Sequence, residues 1–332
     1  MSEMTTLESY PPLFRNLNGH SHISDHHNQT VGDSLDSDPL PLIDLQLPDS
    51  DKLGAACKNW GIFRLVNHGI PPTLTTQLQD SAKMLFSLPF ESKQALFNGP
   101  VTYFWGTPAL TTSGTALRGA LNINWLEGLS VFHSQVSQVG FQDPMINAFR
   151  LLLEEYGRHQ VRIAKILYGA MSKNLNLDSK QSQIFSEPIG YHRIYRYPVS
   201  PNPNELSGME EHTDSSVLTI LHQDQVGGLE FFRDNKWLPV KHVPNTLIVN
   251  IGDMMQAASD DEYISVKHRV RVNKDEERFS ICYFEFPADG AVIHSSKYKP
   301  FTYPEFSAQV QEDIKTVGYK VGLPRFKLHP NS

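Results

Sequence analysis

A histidine and an aspartate in the second half of the chain have the spacing of metal ligands. His212 and Asp214 lie two residues apart in EHTDSS. In an extended segment this spacing places both side chains on the same face. An HxD triplet is common on its own, where a surface or hydrogen-bonding role is the better interpretation. The triplet therefore needs a third ligand before it indicates a metal site.

His268 is the candidate third ligand. In ISVKHRVRV, apolar residues alternate with basic ones, and His268 falls on the apolar face. A histidine in this position is often a satisfied core residue, and this alternative stays open. Two histidines and one carboxylate on inward β faces nevertheless form the facial triad that leaves iron(II) with open coordination positions.

Arg278 and Ser280 indicate an anion site beside the metal. In RFSICYFEF they share one strand face with Cys282, Phe284 and Phe286. A buried arginine requires an anion, and no carboxylate nearby in the sequence is an evident partner. A dicarboxylic keto acid would fit, with one end on iron and the other in fork contact with Arg278. A structural salt bridge to another Asp or Glu is the alternative.

The elements that position these residues are predicted to be mainly β-strands. From about Gly190, short β-rich runs alternate with turn residues, which is typical of an antiparallel sandwich or barrel. Upstream, the segment from Met145 to Leu175 has the apolar spacing of a helix with one buried face. That helix is long enough to support a sheet. Glu305 to Thr316 is the last predicted helix.

Composition excludes several classes of protein. The 332 residues include 29 basic and 36 acidic side chains, for a net charge of −7, which argues against nucleic-acid and anionic-membrane partners. Cys57 and Cys282 lie too far apart to suggest a thiolate zinc site or a disulfide framework. No signal peptide or membrane span is evident, and we expect a cytoplasmic location.

The run from His212 to Val270 resembles the core of the plant soluble 2-oxoglutarate/iron(II) dioxygenases. Its motifs HxD, QDxVGGLE, NIGD and SVxHRV occur in order and are followed by RFS, and PLIDL, NWGIFRLVNHGIP and FSLPFESK upstream are also similar. The resemblance implies a mainly β fold with flanking helices, whose core is a distorted double-stranded β-helix, or jelly roll.

The resemblance also implies a division of the chain into four parts. We expect a flexible N-terminal arm at 1–36 and a mixed α/β and helical spine region at 37–187. The jelly-roll dioxygenase core would occupy 188–290, and a C-terminal helix and tail 291–332. The arm is rich in Ser, Asp, Asn and His, as disordered segments are. Its histidines, His20, His22, His26 and His27, are best explained as part of a solvated tail.

Site roles follow from the same resemblance. The residues that match the iron ligands are His212, Asp214 and His268, and those that match the 2-oxoglutarate contacts are Arg278, Ser280 and Tyr197. The sequence departs from the family's NYYP-like motif, with Tyr195 and Arg196 where Asn and Tyr are usual. The expected cofactors are Fe(II), 2-oxoglutarate and O2, with ascorbate as a supporting reductant. Succinate and CO2 would be released as substrate is hydroxylated.

The segment from Tyr103 to His133 is similar to the corresponding region of gibberellin oxidases, most of all the gibberellin 2-beta-dioxygenases. The shared features are Trp105-Gly106, the stretch from Thr111 to Thr115, and the stretch from Trp125 to Gly128. The residues predicted to contact an apolar acid are Tyr103, Trp105, Phe284 and Phe286 as aromatic walls and Arg118 as the cation. Packing aromatics and a solvated Arg118 are an equally good interpretation.

Three functions therefore remain open. The first is oxidation of a gibberellin-type diterpenoid acid. The second is a sister dioxygenase acting on an auxin, a flavonoid or another specialised metabolite. The third is a non-catalytic jelly-roll protein that binds a ligand, which the intact triad and Arg278 argue against. The oligomeric state and the carbon that is oxidised do not follow from the sequence.

Overall fold

The site lies between two β-sheets whose strands come mostly from the second half of the chain. The computed structural model describes residues 7–15, 39–47, 49–106, 124–141, 143–177, 184–185, 187–200 and 206–328. Strands and helices are numbered here in chain order within these ranges. None of the helices in the described ranges combines the length and hydropathy needed to cross a bilayer.

The larger sheet has eight strands in the order β1-β2-β10-β7-β12-β5-β4-β3. Their bounds are β1 Leu42–Asp44, β2 Ile62–Val66, β3 Thr102–Trp105, β4 Glu127–Phe132, β5 Ile189–Tyr197, β7 Leu218–Gln223, β10 Leu247–Ile251 and β12 Arg278–Phe286. The pair β1 and β2 is parallel, and the other pairs in this sheet are antiparallel. Strands β5 and β12, the longest pair, run side by side through its centre.

The smaller sheet has four strands in the order β6-β11-β8-β9. They are β6 Ser207–His212, β8 Leu229–Arg233, β9 Lys236–Pro239 and β11 His268–Arg271. Asp234 and Asn235 join β8 to β9 with φ of +48° and +59°. These left-handed conformations suit a two-residue hairpin, and Asp and Asn tolerate them better than most residues. A separate short pair is formed by β13 Val292–Ile293 and β14 Phe301–Thr302.

Helices pack around the two sheets, most of them on the outer face of the larger one. They are α1 Ser50–Asn59, α2 Pro72–Ser87, α3 Phe90–Leu96, α4 His133–Val136, α5 Pro144–Asn174, α6 Asp253–Ala258 and α7 Tyr303–Thr316. The long helix α5 begins at a cap in which the Asp143 side chain accepts from the backbone N–H groups of Met145 and Ile146. Its apolar residues recur at helical spacing and are buried, as predicted.

Two apolar cores separate these layers. The first lies between the helices and the outer face of the larger sheet, where Phe149 of α5 belongs to the same cluster as Ile220 and Ile281. The second lies between the sheets and includes Leu221, Phe231 and Val270. Two facing sheets with helices on one side form the jelly-roll arrangement, so the predicted fold class is confirmed.

The beginning of the chain differs from the prediction of a flexible arm at 1–36. Residues 7–15 form two short 3₁₀ turns, Leu7–Ser9 and Pro12–Phe14. The Tyr10 ring lies 5.6 Å from that of Trp105, and the Phe14 ring lies 5.2 Å from that of Trp125. The prediction is wrong for this stretch because average composition concealed two aromatic residues that bury against a tryptophan pair. The histidines from His20 to His27 lie outside the described residues.

Candidate active site

The three predicted metal ligands converge where β6 and β11 pair. His212 ends β6 and His268 begins β11, and the two are direct partners in the antiparallel register. Asp214 Oδ1, in the turn after β6, lies 3.7 Å from His212 Nε2 and 3.6 Å from His268 Nε2. Ligands about 2 Å from a shared ion lie about 3 to 4 Å apart, so these three atoms fit one cation.

Backbone and hydroxyl groups orient the three ligands. The Nδ1 atoms of His212 and His268 lie 2.7 and 3.1 Å from the carbonyl oxygens of Glu210 and Val266. Because a carbonyl can only accept, each Nδ1 carries a hydrogen, and each Nε2 is the ring nitrogen turned toward the centre. Asp214 Oδ2 accepts from the Thr219 hydroxyl at 2.7 Å, which leaves Oδ1 for the ion.

Electrostatics hold His212 and Asp214 in the protonation states that a metal needs. Burial, assisted by the neighbouring His268, lowers the pKa of His212 to about 3, so its imidazole is neutral near pH 7. Burial alone would raise the pKa of Asp214, but the two histidines hold it below its usual value. His212 and Asp214 are therefore already in the neutral and ionised forms, respectively, that bind a metal.

Arg278 has the free donors that an anionic ligand requires. Its side chain is buried at the start of β12, and Nη1 donates to Ser280 Oγ at 3.1 Å. Nε and Nη2 are buried without a hydrogen-bond partner, and no carboxylate of the described residues forms an ion pair with the guanidinium. The nearby carboxylate of Asp224 accepts backbone N–H groups instead, from Val226 and Phe279. A free fork of this kind fits the distal carboxylate of 2-oxoglutarate.

A cavity of about 740 Å³ opens onto the triad. Its walls come from both sheets and from α7, and they include Tyr197 on β5 together with Phe284 and Phe286 on β12. Tyr197 also covers Arg278, whose Cζ lies 4.7 Å from the centre of the ring. Tyr197 thus lines the cavity and also contacts Arg278, so it connects the cavity to the Arg278–Ser280 pair.

The other predicted substrate contacts do not reach this cavity. Trp105 is buried beneath Tyr10, and the Tyr103 hydroxyl donates to Glu127 Oε2 at 2.5 Å. Both residues share one face of β3, and the intervening Phe104 turns the other way, toward Tyr195. The prediction assigned the aromatic side chains of β3 to the wrong face. Arg118 lies outside the described residues.

Arg196, which departs from the family motif, also faces away from the cavity. Its guanidinium lies 2.6 Å from Glu127 Oε1 and 2.5 Å from Glu277 Oε1. Glu127 bridges in turn to Lys93 at 2.6 Å, and the Lys93, Glu127 and Arg196 side chains are almost fully buried. Arg196 therefore builds an ionic network behind the sheet, whereas Tyr195, the other departure from the motif, lines the cavity.

Two cations near the site were missed by sequence reasoning. Arg193 lines the cavity from β5. Its alternation with Tyr195 and Tyr197 was the signal that could have revealed it. Lys320, beyond α7, donates to the Thr213 carbonyl at 2.8 Å and to Ser215 Oγ at 2.9 Å. No local pattern predicts this contact, because the residues involved are about a hundred positions apart.

Comparisons with known proteins agree with this arrangement. Residues 189–287 match the 2OG-Fe(II) oxygenase superfamily, and residues 40–139 match the non-haem dioxygenase in morphine synthesis N-terminal family. Gibberellin 2-beta-dioxygenase 8 of Arabidopsis thaliana is 37% identical, over 84% of this chain and 81% of its own. Flavonol synthase/flavanone 3-hydroxylase of Petunia hybrida is 34% identical, over 73% of this chain and 71% of its own.

A solved structure that contains 2OG and Fe shares the fold. The crystal structure of JOX2 in complex with 2OG, Fe and JA superposes with a TM-score of 0.74 at 27% identity. The match covers 89% of this chain and 92% of that one. The chain belongs to the 2OG-Fe(II) oxygenase superfamily, whose members are oxidoreductases that use Fe(II) and 2-oxoglutarate.

Proposed function

We propose that this dioxygenase hydroxylates a gibberellin-type diterpenoid acid and releases succinate and CO2. The observation that carries the proposal is the cavity beside the triad, where Phe284 and Phe286 supply apolar aromatic walls. The similarity to a gibberellin 2-beta-dioxygenase over most of both chains supports the same substrate class.

In this proposal each side of the cavity has a separate task. His212, Asp214 and His268 hold the iron, and Arg278, Ser280 and Tyr197 hold 2-oxoglutarate. When bound, Fe(II) and 2-oxoglutarate supply the oxidising chemistry that uses O2. The protein groups bind and orient: the Arg278 fork fixes the co-substrate, and the Nδ1 hydrogen bonds of the two histidines fix the ring planes.

The walls of the cavity favour a rigid apolar acid over a polyhydroxylated flavonoid. Phe284 and Phe286, at alternate positions of β12, have their ring centres 6.4 Å apart and planes inclined by 11°, and both side chains give the cavity apolar surface. Flavonoid hydroxyls placed against this surface would lose water without gaining partners. An auxin, a flavonoid or another specialised metabolite remains the second candidate, because the superfamily includes a flavonol synthase of comparable identity.

Product identification tests the proposal. The protein, supplied with Fe(II), 2-oxoglutarate and ascorbate, is incubated separately with gibberellin precursors, indole-3-acetate and flavonoids, and products are analysed by mass spectrometry. We expect a gibberellin product that is 16 Da heavier, with one succinate released per turnover. Efficient oxidation of indole-3-acetate or a flavonoid, with every gibberellin untouched, would exclude the gibberellin assignment. Absence of substrate-stimulated succinate release throughout would favour the non-catalytic alternative.

Two further expectations belong to this proposal. The two widely separated cysteines favour a reducing compartment such as the cytoplasm. The division of the chain at 37, 188 and 291 into spine region, jelly-roll core and C-terminal part also stays a prediction, apart from the correction to residues 7–15.

A further inference from the structure

One wall of the cavity carries a cation that the proposed chemistry does not use. Four side chains at alternate positions of β5 line the cavity: Tyr191, Arg193, Tyr195 and Tyr197. In a strand, residues two apart point to the same face. Arg193 is therefore directed toward the same space as Tyr197, which contacts the proposed 2-oxoglutarate site.

The Arg193 guanidinium has no acidic partner in the described part of the chain. Nη1 donates to the Tyr195 hydroxyl at 3.1 Å, while Nε is buried without a partner. Its register partners on the neighbouring strands are Ser130 and Cys282, neither of which carries a charge that could balance it. A partly buried cation without a balancing charge beside it is costly, and a bound anion would offset that cost.

The anion at Arg193 has to be distinct from 2-oxoglutarate. Arg278 is the register partner of Tyr197, and Arg193 lies four residues further along the same strand face. At about 3.3 Å per residue, the interval along β5 is roughly 13 Å. A five-carbon keto diacid held between the metal and Arg278 cannot span this interval as well. Arg193 is thus available to a second ligand.

Aromatic rings hold Arg193 in place without neutralising it. Its Cζ lies 5.4 Å from the ring centre of Tyr191, 5.7 Å from that of Phe104 and 5.8 Å from that of Phe284. Such cation–π contacts restrict the guanidinium and leave its charge available. A ligand that fits this surrounding has an apolar body and a carboxylate at one edge.

We infer that Arg193 is a specificity-determining residue that binds the carboxylate of an apolar acid, the primary substrate. The inference deepens the proposed function and rests on it only for the acidic class of the substrate, not for which acid it is. Arg193 takes the role that the sequence suggested for Arg118. With the carboxylate fixed on β5, the body of the substrate extends along the aromatic wall toward the triad.

Binding measured without turnover tests this role. The full-length protein is loaded with Fe(II) and 2-oxoglutarate without oxygen, and equilibrium dialysis gives its Kd for a gibberellin precursor and for indole-3-acetate. Each acid is compared with its methyl ester, which keeps the body and removes the charge. We expect the wild type to bind at least one acid about tenfold or more tightly than its ester, because a charge-assisted bond is lost.

Variants assign that preference to Arg193. Arg193→Met should weaken binding of the preferred acid about tenfold or more and make acid and ester equivalent, with the Kd for 2-oxoglutarate nearly unchanged. Arg193→Lys should keep part of the preference, since it keeps the charge but loses the fork. If Arg193→Met does not fold, Arg193→Lys tests the inference alone. Arg158→Met is the matched control, because Arg158 is an exposed arginine on α5.

The outcomes separate this inference from the proposed function. Equal binding of acid and ester by the wild type, failure of every acid to bind, or an unchanged preference in both Arg193 variants would overturn it. If gibberellins are oxidised and the Arg193 variants bind them normally, the substrate proposal stands and this inference fails. If indole-3-acetate binds in an Arg193-dependent manner and no gibberellin reacts, the inference stands and the gibberellin assignment fails.

Discussion

Lys320 Nζ lies 2.6 Å from Asp253 Oδ2, and both side chains are largely buried. The pair joins the segment after α7 to the first residue of α6. Asp253 also donates its backbone N–H to the carbonyl of Asp214 at 2.8 Å, and Lys320 donates to the carbonyl of Thr213. The turn that carries the HxD triplet is thus held from two sides by residues distant in sequence.

Lys320→Met is expected to weaken the metal site without removing a ligand. Loss of a group that positions ligands typically lowers metal affinity by about tenfold, and breaking a buried ion pair costs about 3 kcal/mol of stability. Co(II) titration and urea unfolding of the metal-free protein measure the two effects. Lys297→Met is the control, because Lys297 is half exposed where it pairs with Asp261. Wild-type cobalt affinity in Lys320→Met would show that the turn does not need this support.

Alanine at any of the three ligand positions should abolish iron-dependent turnover. His212, Asp214 and His268 are proposed to act by coordination, so each variant should still unfold cooperatively when heated. Succinate release and circular dichroism melting provide the two readouts. His294→Ala, at an exposed histidine, should behave as wild type. Full activity in one of the ligand variants would remove that residue from the triad.

Arg278→Lys should raise the KM for 2-oxoglutarate by about tenfold or more while leaving affinity for the primary substrate nearly unchanged. Lysine keeps the charge but cannot form the two parallel hydrogen bonds of a guanidinium fork. Steady-state kinetics with 2-oxoglutarate as the varied component measure this. Arg269→Lys alters an arginine paired with Glu230 in the smaller sheet and controls for general effects. A KM that does not change would favour a purely structural role.

Glu285 is expected to make stability fall as pH rises from about 4.5 to about 7. Burial raises the pKa of this carboxyl from 4.5 to about 7, and Oε2 has no hydrogen-bond partner. The folded protein therefore binds the proton more tightly than the unfolded chain. This contribution is complete below about pH 4.5, decreases as pH rises, and is lost above about pH 7, a difference of about 3 kcal/mol.

Glu285→Gln isolates this contribution, because glutamine does not titrate. Urea unfolding of the wild type and the variant between pH 5 and pH 8 gives the difference in stability at each pH. The wild type should lose stability relative to the variant as pH rises. Glu155→Gln, on the exposed face of α5, should show no such trend. Parallel pH profiles for wild type and Glu285→Gln would mean that the carboxyl is ionised in the folded protein.

Glu127→Gln should be strongly destabilising. The Glu127 carboxylate is fully buried and serves both Lys93 and Arg196, so its neutralisation leaves two buried cations short of charge. Removal of one partner from a buried ionic group costs about 3 to 5 kcal/mol. Denaturant unfolding tests this against Glu230→Gln, whose ion pair with Arg269 is partly exposed. Equal losses in the two variants would show that burial of the network adds nothing.

Strand parity explains how much of the site could be predicted from the sequence. Alternation placed His268 on the inner face and put Phe284 and Phe286 on the same side as Arg278, and the register agrees. On β11, His268 lies on the face opposite the basic residues. On β12 both faces are buried, and the polar pair Arg278 and Ser280 marks the face that turns toward the site. Asp214 follows His212 closely enough for local geometry to bring both to one centre.

Where aromatic side chains occupy both faces of a strand and no polar residue marks one of them, parity gives no direction. β3 carries Tyr103, Phe104 and Trp105 in succession, so an aromatic side chain is available on either side, and the one that faces Tyr195 of β5 is Phe104. Arg193 was missed for a related reason, because an arginine that alternates with tyrosines resembles an ordinary polar position of a strand. Its importance comes from the lack of a carboxylate beside it among the described residues, and the sequence does not show which groups surround it in space.

The packing of Tyr10 and Phe14 onto Trp105 and Trp125 has an optical consequence. Trp105 is 4% exposed and Trp125 is 1% exposed. These are two of the chain's four tryptophans. Undocking of residues 7–15 would bring water to both indoles while the sheets stay intact, and indole emission shifts to longer wavelength in water. Intrinsic fluorescence therefore reports whether residues 7–15 of this enzyme are packed against the two tryptophans, separately from the unfolding of its core.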